Sequence, residues 1–500
     1  MNHLLIRHHS SHSLLILFLG WGFPPEAFAG LHKDGFDLLI LSGYTTMAGE
    51  ELDREIKDWV YGPGEDCYNE IIVIGWSFGV RAATEFLAET NLPVTLRLAI
   101  NGTISHIDDH NGIPESIFRG TLSRLEGSTL AKFRLRCVSD RDLLTRLMNN
   151  VTLSDDIDRL KEELALFGRT PSASSDRKNV WDKIIIGEKD RIFPPDNQRK
   201  SWNGNDVFIF DDMAHTPDFQ WILDNFIVDK QKVSEKFSLA VSSYSDNALS
   251  QQHVAQRLYS KFRQIFDHSE LKAGATYSDN NMSLIELGVG SGVFTRRYFP
   301  QLIGHCQKIM LSDIQISFPD ESLCRFITDC EANANVRCEF IHGDAESVEM
   351  REKYLLPVSY DLIFSASMFQ WLNSPATMLR SCAEALRHGG IMALSFYGPG
   401  TCREIQHIAG AGLKYPSAEW MSRTASEAGL SVDLVETEEE VLLFDTPTEA
   451  LRHLRLTGVN ALPGNSSPTA IRKLLADWPV TPDLKATLTF RPVYIILSKH

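Results

Sequence analysis

The chain has 500 residues, 43% hydrophobic and 23% charged, with a net charge of −16 and eight cysteines. That length exceeds what one hydrophobic core organises, so two domains are expected; no apolar run approaches the roughly 20 residues that span a bilayer, which argues against a membrane protein. The acidic balance argues against a general nucleic-acid binder while allowing a local basic patch, and cysteines without a CxxC pair point to reduced thiols in the cytoplasm.

The segment SLLILFLGWGFPPEAFAG (13–30) admits two readings. Arg7 ahead of it, its apolar run and its Ala27-Phe28-Ala29 tail resemble a secretory signal. The same letters suit a buried strand followed by an active-site loop. Apolar runs recur at 36–41, 70–75, 96–100, 182–187 and 206–210 between amphipathic stretches, the rhythm of β-α units on a mostly parallel sheet. RTPSASSDRK (169–178) reads as an exposed loop. The polar VDKQKVSEK (228–236) is the expected linker, set at 229–243 between domains 1–228 and 244–500. A helical stretch over 250–266 and apolar runs at 283–288, 308–313, 338–344, 360–365 and 390–396 make a second doubly wound series. Two α/β domains in tandem are expected.

In the first domain, Gly75-Trp76-Ser77-Phe78-Gly79 lies directly between a strand and a helix. Glycines two residues either side permit the sharp turn that presents a serine at the top of a sheet, the nucleophile elbow of an α/β-hydrolase fold. A serine nucleophile needs a base and the base an orienter, each after a later strand. Asp190 follows the run of isoleucines, and His215 follows the next strand. The triad expected is therefore Ser77, His215 and Asp190, with Asp211 and Asp212 as rival acids at the wrong strand end. The oxyanion donors expected are the backbone N–H groups of Trp21 and Phe78, which makes 13–30 strand plus loop instead of a signal. GWGF, GWSFGV and AINGTISHIDDHNGIPESIFRGTLSRL (99–125) resemble the carboxylesterases that hydrolyse pimeloyl-[acyl-carrier-protein] methyl ester in biotin synthesis, in their smaller branch, over roughly 1–228. Asn101-Gly102-Thr103 and Gly112-Ile113-Pro114 are the diagnostic pieces, and spacing gives no reason for them. Residues 119–146 hold Arg119, Arg124, Lys132, Arg134, Arg136, Arg141 and Arg146 against Glu126, Asp140 and Asp142, either a solvated lid or a docking face for an acidic carrier protein.

In the second domain, Glu286-Leu287-Gly288-Val289-Gly290-Ser291-Gly292 joins a strand to a helix. Glu286, Gly288, Gly290 and Gly292 are candidate cofactor residues, with Asp313 placed for ribose hydroxyls and Asp344 for an adenine amine. Nothing in the run suggests a pyrophosphate site, so S-adenosylmethionine (SAM) fits better than NAD. SASMFQWLNSPATMLRSCAEALRHGGIMALSFYGPGTCREI (365–405), YSDNALSQQHVAQRL (244–258), LRHLRLTGVNAL (451–462) and LTFRPVYIILSK (488–499) are similar to the methyltransferases that esterify malonyl-[acyl-carrier-protein]. That resemblance implies a class I SAM-dependent, Rossmann-like fold over 244–500. Gln370-Trp371 and GPGT (398–401) are its narrower marks; Glu286 stands where Asp is common and Phe490 where Tyr is usual. A malonyl carboxylate is its own nucleophile, so no catalytic base is expected there, and Arg403 is the candidate to steer it. Together the resemblances imply capping and uncapping of a carboxylate on acyl-carrier protein, with no metal. The alternatives are an acyl thioesterase or esterase joined to a small-acid carboxyl methyltransferase of another pathway, and a SAM-binding scaffold with a decayed hydrolase.

Overall fold

The computed structural model describes residues 1–8, 13–61, 68–149, 151, 155–174, 177, 180–247, 249–269, 281–315, 321–334, 336–409, 413–456 and 468–500. Cys67, residues 175, 176 and 178 of the 169–178 loop, residue 248 of the 244–258 stretch, and the 457–462 part of LRHLRLTGVNAL lie outside them. The chain divides into two compact units, Met1–Leu223 and Asp224–His500. Among the described residues no helix is long and apolar enough to cross a membrane.

The first unit is built on seven strands: β1 (Asn2–Ile6), β2 (Ser13–Phe18), β3 (Phe36–Ser42), β4 (Glu70–Trp76), β5 (Val94–Ile100), β6 (Lys183–Lys189) and β7 (Val207–Ala214). Their order is β1-β3-β2-β4-β5-β6-β7, parallel except for β1 against β3. β2 lies inside the sheet, Ser13 pairing with Phe36 on one side and Glu70 on the other, and Leu14–Phe18 are fully buried. An unbroken apolar run is what a strand covered on both faces requires. The strand reading of 13–30 is the one the fold uses, and the hydrophobic run serves the core.

The second unit has β8 (Met282–Leu287), β9 (Cys306–Asp313), β10 (Arg337–His342), β11 (Tyr360–Ala366), β12 (Leu386–Tyr397), β13 (Ser431–Thr437), β14 (Glu440–Phe444), β15 (Ala486–Phe490) and β16 (Pro492–Ser498). The main sheet runs β10-β9-β8-β11-β12-β16-β13, with β16 antiparallel to both neighbours. Alternate residues feed two cores, Leu284 and Leu362 on one face, Ile285 and Ile363 on the other. This is the Rossmann-like methyltransferase architecture. The strand order reverses between β8 and β11, so a crevice opens beyond their carboxyl ends.

The expected linker differs. Lys230–Asn247 is a helix. Val233 is buried, and Phe237 stands edge-on to Trp371 with ring centres 5.5 Å apart. Val233 and Phe237, one turn apart, lie on one face and seat this part of the helix on the core.

Candidate active sites

β4 runs into the helix Phe78–Glu89 through Ser77, whose backbone is held at φ 59° and ψ −128°. A non-glycine residue there carries strain of about 1–3 kcal/mol, sustained by its surroundings. Close packing enforces the turn: a Cβ on Gly79 would lie 2.0 Å from the Phe18 carbonyl oxygen, and one on Gly102 would lie 2.3 Å from that of Ser77. His215 Nε2 lies 3.0 Å from Ser77 Oγ, and His215 Nδ1 lies 2.9 Å from Asp190 Oδ2. All three side chains are buried. Asp190 Oδ1 accepts from the backbone N–H groups of Ile192 (2.7 Å) and Phe193 (2.9 Å), while Oδ2 also accepts from Gln198 Nε2 at 3.0 Å. Those bonds fix the carboxylate, which in turn favours a proton on Nδ1 and leaves Nε2 to face the serine. Asp211 is exposed, and Asp212 is engaged by Lys189 at the surface, so neither rival acid reaches His215.

The diagnostic Asn101-Gly102 pair now has a physical reason. Asn101 Nδ2 donates to the carbonyls of Ala214 (2.8 Å) and His215 (2.9 Å), and Asn101 Oδ1 accepts from the Gly187 N–H at 2.8 Å. One side chain thus ties β6 to the histidine loop. Gly112 sits in the turn closed by the Ile113 N–H on the His106 carbonyl (3.0 Å), and its own carbonyl accepts from Asn197 Nδ2 at 2.9 Å.

Trp21, Ser77 and Phe78 line one cavity with Ile113, Phe118, Phe133 and Leu164, and Arg136 and Arg191 supply its charged part. The Trp21 indole donates to the Leu160 carbonyl at 2.9 Å. Arg134 is not on an outer face as its place among the lid cations suggested. It is buried, donates to the Gly22 carbonyl at 2.7 Å and clasps Asp155 at 2.6 and 2.8 Å. The other six lid cations are exposed. His106 escaped sequence reading: it is buried edge-on to Phe78, and burial lowers its pKa to about 4.

In the second unit Glu286, Gly288, Gly290, Asp313 and Asp344 line a single cavity at the β8–β11 crevice. Gly292 does not: its carbonyl caps the following helix, accepting from the Arg296 N–H at 2.9 Å. Asp313 accepts from the Gly290 N–H at 2.7 Å and the Gln315 N–H at 2.9 Å. Glu286 accepts from Thr295 Oγ1 at 2.6 Å through Oε2. Burial, with the Asp313 charge adding, pushes its pKa up to about 8. Asp344 takes the Glu346 N–H at 3.0 Å and has Lys230 Nζ at 3.6 Å.

Four buried polar atoms of residues lining this cavity, Gln251 Oε1, Glu286 Oε1, Ser291 Oγ and Gln315 Oε1, have no partner among the described residues. Acidic acceptors around a hollow suit hydroxyls, an ammonium and a sulfonium, whereas a diphosphate would be repelled. The residues therefore fit SAM. Arg403 is away from the cavity, exposed and paired with Glu439 at 3.3 Å. A surface ion pair cannot steer a buried carboxylate, which corrects that expectation.

Comparison with known proteins agrees with both halves. The family model for the pimeloyl-ACP methyl esterase BioG matches residues 1–216, and a methyltransferase domain model matches residues 285–392. A malonyl-[acyl-carrier protein] O-methyltransferase of Bacteroides fragilis (strain 638R) is 32% identical over 498 residues, covering 97% of this chain and 93% of that protein. One from Porphyromonas gingivalis (strain ATCC BAA-308 / W83) is 30% identical over 281 residues, 54% of this chain and 96% of its own. Among solved structures, BioG from Haemophilus influenzae is 28% identical, covering 43% of this chain and 94% of its own, with a TM-score of 0.34. The chain belongs to the malonyl-[acyl-carrier protein] O-methyltransferase family, in a form that carries a BioG esterase domain ahead of the methyltransferase domain.

Proposed function

We propose that the chain caps and uncaps one carboxylate on acyl-carrier protein in biotin synthesis. Residues 244–500 methylate the free carboxylate of malonyl-[acyl-carrier protein], and residues 1–228 hydrolyse the methyl ester of pimeloyl-[acyl-carrier protein]. The observation that carries the second step is the Ser77–His215–Asp190 chain of hydrogen bonds facing an apolar cavity.

In the esterase, His215 Nε2 takes the Ser77 proton as Oγ attacks the ester carbonyl. The Trp21 and Phe78 N–H groups receive the developing oxyanion; losing one such donor typically lowers kcat about 10²–10³-fold. Methanol leaves with the proton from His215, and water, deprotonated by the same nitrogen, releases the acid. Asp190 holds the imidazole and offsets its charge without itself taking the proton.

In the methyltransferase, bound SAM supplies an electrophilic methyl on a sulfonium. Asp313 is assigned to the ribose hydroxyls, Glu286, Gly288 and Gly290 to the amino-acid end, and Asp344 to the adenine. No side chain moves a proton, because the acceptor carboxylate is already ionised. Gly292 keeps only its capping role. The exposed lid cations Arg119, Arg124, Lys132, Arg136, Arg141 and Arg146 are the proposed docking face for the acidic carrier protein. A cytoplasmic location goes with this reading, since SAM and carrier-protein thioesters are cytoplasmic.

The test uses purified full chain with labelled SAM and malonyl-acyl-carrier protein, and separately pimeloyl-acyl-carrier protein methyl ester. Ser77→Ala is expected to abolish only hydrolysis, and Gly290→Asp only methyl transfer. A wild-type chain inactive in either assay refutes that half.

A further inference from the structure

The donor cavity adjoins a second one. Gln251, Ser367 and Trp371 line both, and Gln370, Tyr415 and Phe490 belong to the second alone. Among the described residues no cationic side chain lines this second cavity. Its polar groups are neutral, and its two amides are buried: Gln251 is 7% exposed and Gln370 6%. The Oε1 of each has no hydrogen-bond partner. Gln370 Nε2 is committed to the Ser367 carbonyl at 2.6 Å. Gln251 Nε2, by contrast, is bound to none of the described residues, and its Oε1 is closed off from water. A buried amide with nothing to bond is unfavourable unless a ligand completes it.

We propose that this second cavity is the acceptor subsite, and that Gln251, presenting its NH₂ group, hydrogen-bonds the free carboxylate of the malonyl group. The subsite rests on the reading of residues 244–500 as a malonyl carboxyl methyltransferase. Rotating the amide half a turn exchanges its oxygen for the donor without displacing a neighbour. In the transfer, a carboxylate lone pair forms the O–CH₃ bond while the S–CH₃ pair returns to sulfur, so opposite charges cancel and no proton moves. An arginine would hold the ground-state anion more tightly than the transition state, in which that charge is fading, and would slow the step. A neutral donor orients the oxygen without that penalty. Phe490 fits the same scheme. It is fully buried in the wall, its ring 5.5 Å from that of Tyr397, and adds apolar surface there.

The experiment measures methyl transfer to malonyl-acyl-carrier protein by full-length wild type, Gln251→Leu, Gln251→Glu and Arg403→Ala. Binding of S-adenosylhomocysteine is measured by calorimetry on the same samples, with esterase activity as a folding control. Gln251→Leu is expected to lower kcat/KM about 10–100-fold, the usual effect of losing one hydrogen bond to a charged group. Gln251→Glu, isosteric with the native residue, is expected to lower it further by repulsion. S-adenosylhomocysteine affinity stays within about threefold in both, and Arg403→Ala behaves as wild type. Wild-type kcat/KM in both Gln251 variants overturns the subsite, as does its collapse in Arg403→Ala. A matching loss of S-adenosylhomocysteine affinity overturns it too, by assigning Gln251 to the donor. Wild-type chain that binds S-adenosylhomocysteine but leaves malonyl-acyl-carrier protein unmethylated refutes the reading of the reaction itself.

Discussion

The carbonyl of His215 accepts from the Trp76 indole at 2.7 Å and from Asn101 at 2.9 Å, so the histidine is held by its backbone as well as by Asp190. Asn101→Ala takes a donor from the Ala214 carbonyl and an acceptor from the Gly187 N–H, each group left unmet costing about 1–3 kcal/mol, and leaves the His215 carbonyl to Trp76 alone. The expected outcome is a fall in esterase kcat of about 10–100-fold from a misplaced imidazole, with methyl transfer unchanged. Steady-state assays of both activities on the one variant check this. That Ser77, His215 and Asp190 come together was legible because strand, turn and residue type coincide in the sequence. Asn101, Gln198 and Arg134 were not: their partners lie far along the chain or in folded backbone, and no local pattern encodes them.

Glu163 gives a second expectation at this scale. It accepts from the Tyr44 N–H at 3.0 Å, and burial raises its pKa from 4.5 to about 7. The folded state thus holds this proton more tightly than the unfolded chain does. The contribution to stability is fully present below pH 4.5 and is lost as pH rises through about 7. The size is on the order of 3 kcal/mol. Thermal inactivation of the esterase is expected to shift downward between pH 5 and pH 8 in wild type and to flatten in Glu163→Gln. An unchanged slope in that variant assigns the pH dependence elsewhere.

At the scale of elements, legibility followed burial. Strands β2 to β5, β8, β9, β11 and β12 are largely covered on both faces and read as apolar runs, whereas β10, at the end of the sheet, is exposed at Arg337 and His342. β1, β13 and β14 alternate between half-buried and exposed residues, and their short mixed sequences gave no comparable signal. The Lys230–Asn247 helix begins in a stretch that reads as a linker for a related reason, because few residues of its first turns are large and apolar. Those turns reach the site: Lys230, Val233 and Phe237 all line the donor cavity. Removing the Phe237 ring deletes an edge-to-face contact with Trp371, an interaction of about 0.5–1.5 kcal/mol. Phe237→Ala is therefore expected to weaken S-adenosylhomocysteine binding about 2–12-fold and leave ester hydrolysis untouched. Calorimetry on the full chain decides it, and an unchanged Kd removes this helix from the site.

At the scale of the whole molecule, one polypeptide holds a reaction and its near reversal. Every chain supplies equal numbers of both sites, so gene dosage cannot keep the esterase from the methyltransferase's product. The expected seat of discrimination is the esterase cavity, whose lining from Trp21, Ile113, Phe118, Phe133 and Leu164 is apolar. A pimeloyl ester has four more methylenes than a malonyl ester, and each one buried contributes about 0.8 kcal/mol. Full burial of all four amounts to about 3 kcal/mol, or roughly 200-fold in kcat/KM, as an upper bound. The expectation is that pimeloyl-acyl-carrier protein methyl ester is cleaved tens to hundreds of times faster than the malonyl ester. Phe133→Ala, which opens that wall, is expected to narrow the ratio mainly by slowing the long substrate. Competition between the two esters in one reaction reads the ratio directly. Equal rates in wild type place the safeguard outside this cavity, with the carrier protein's own docking as the remaining candidate.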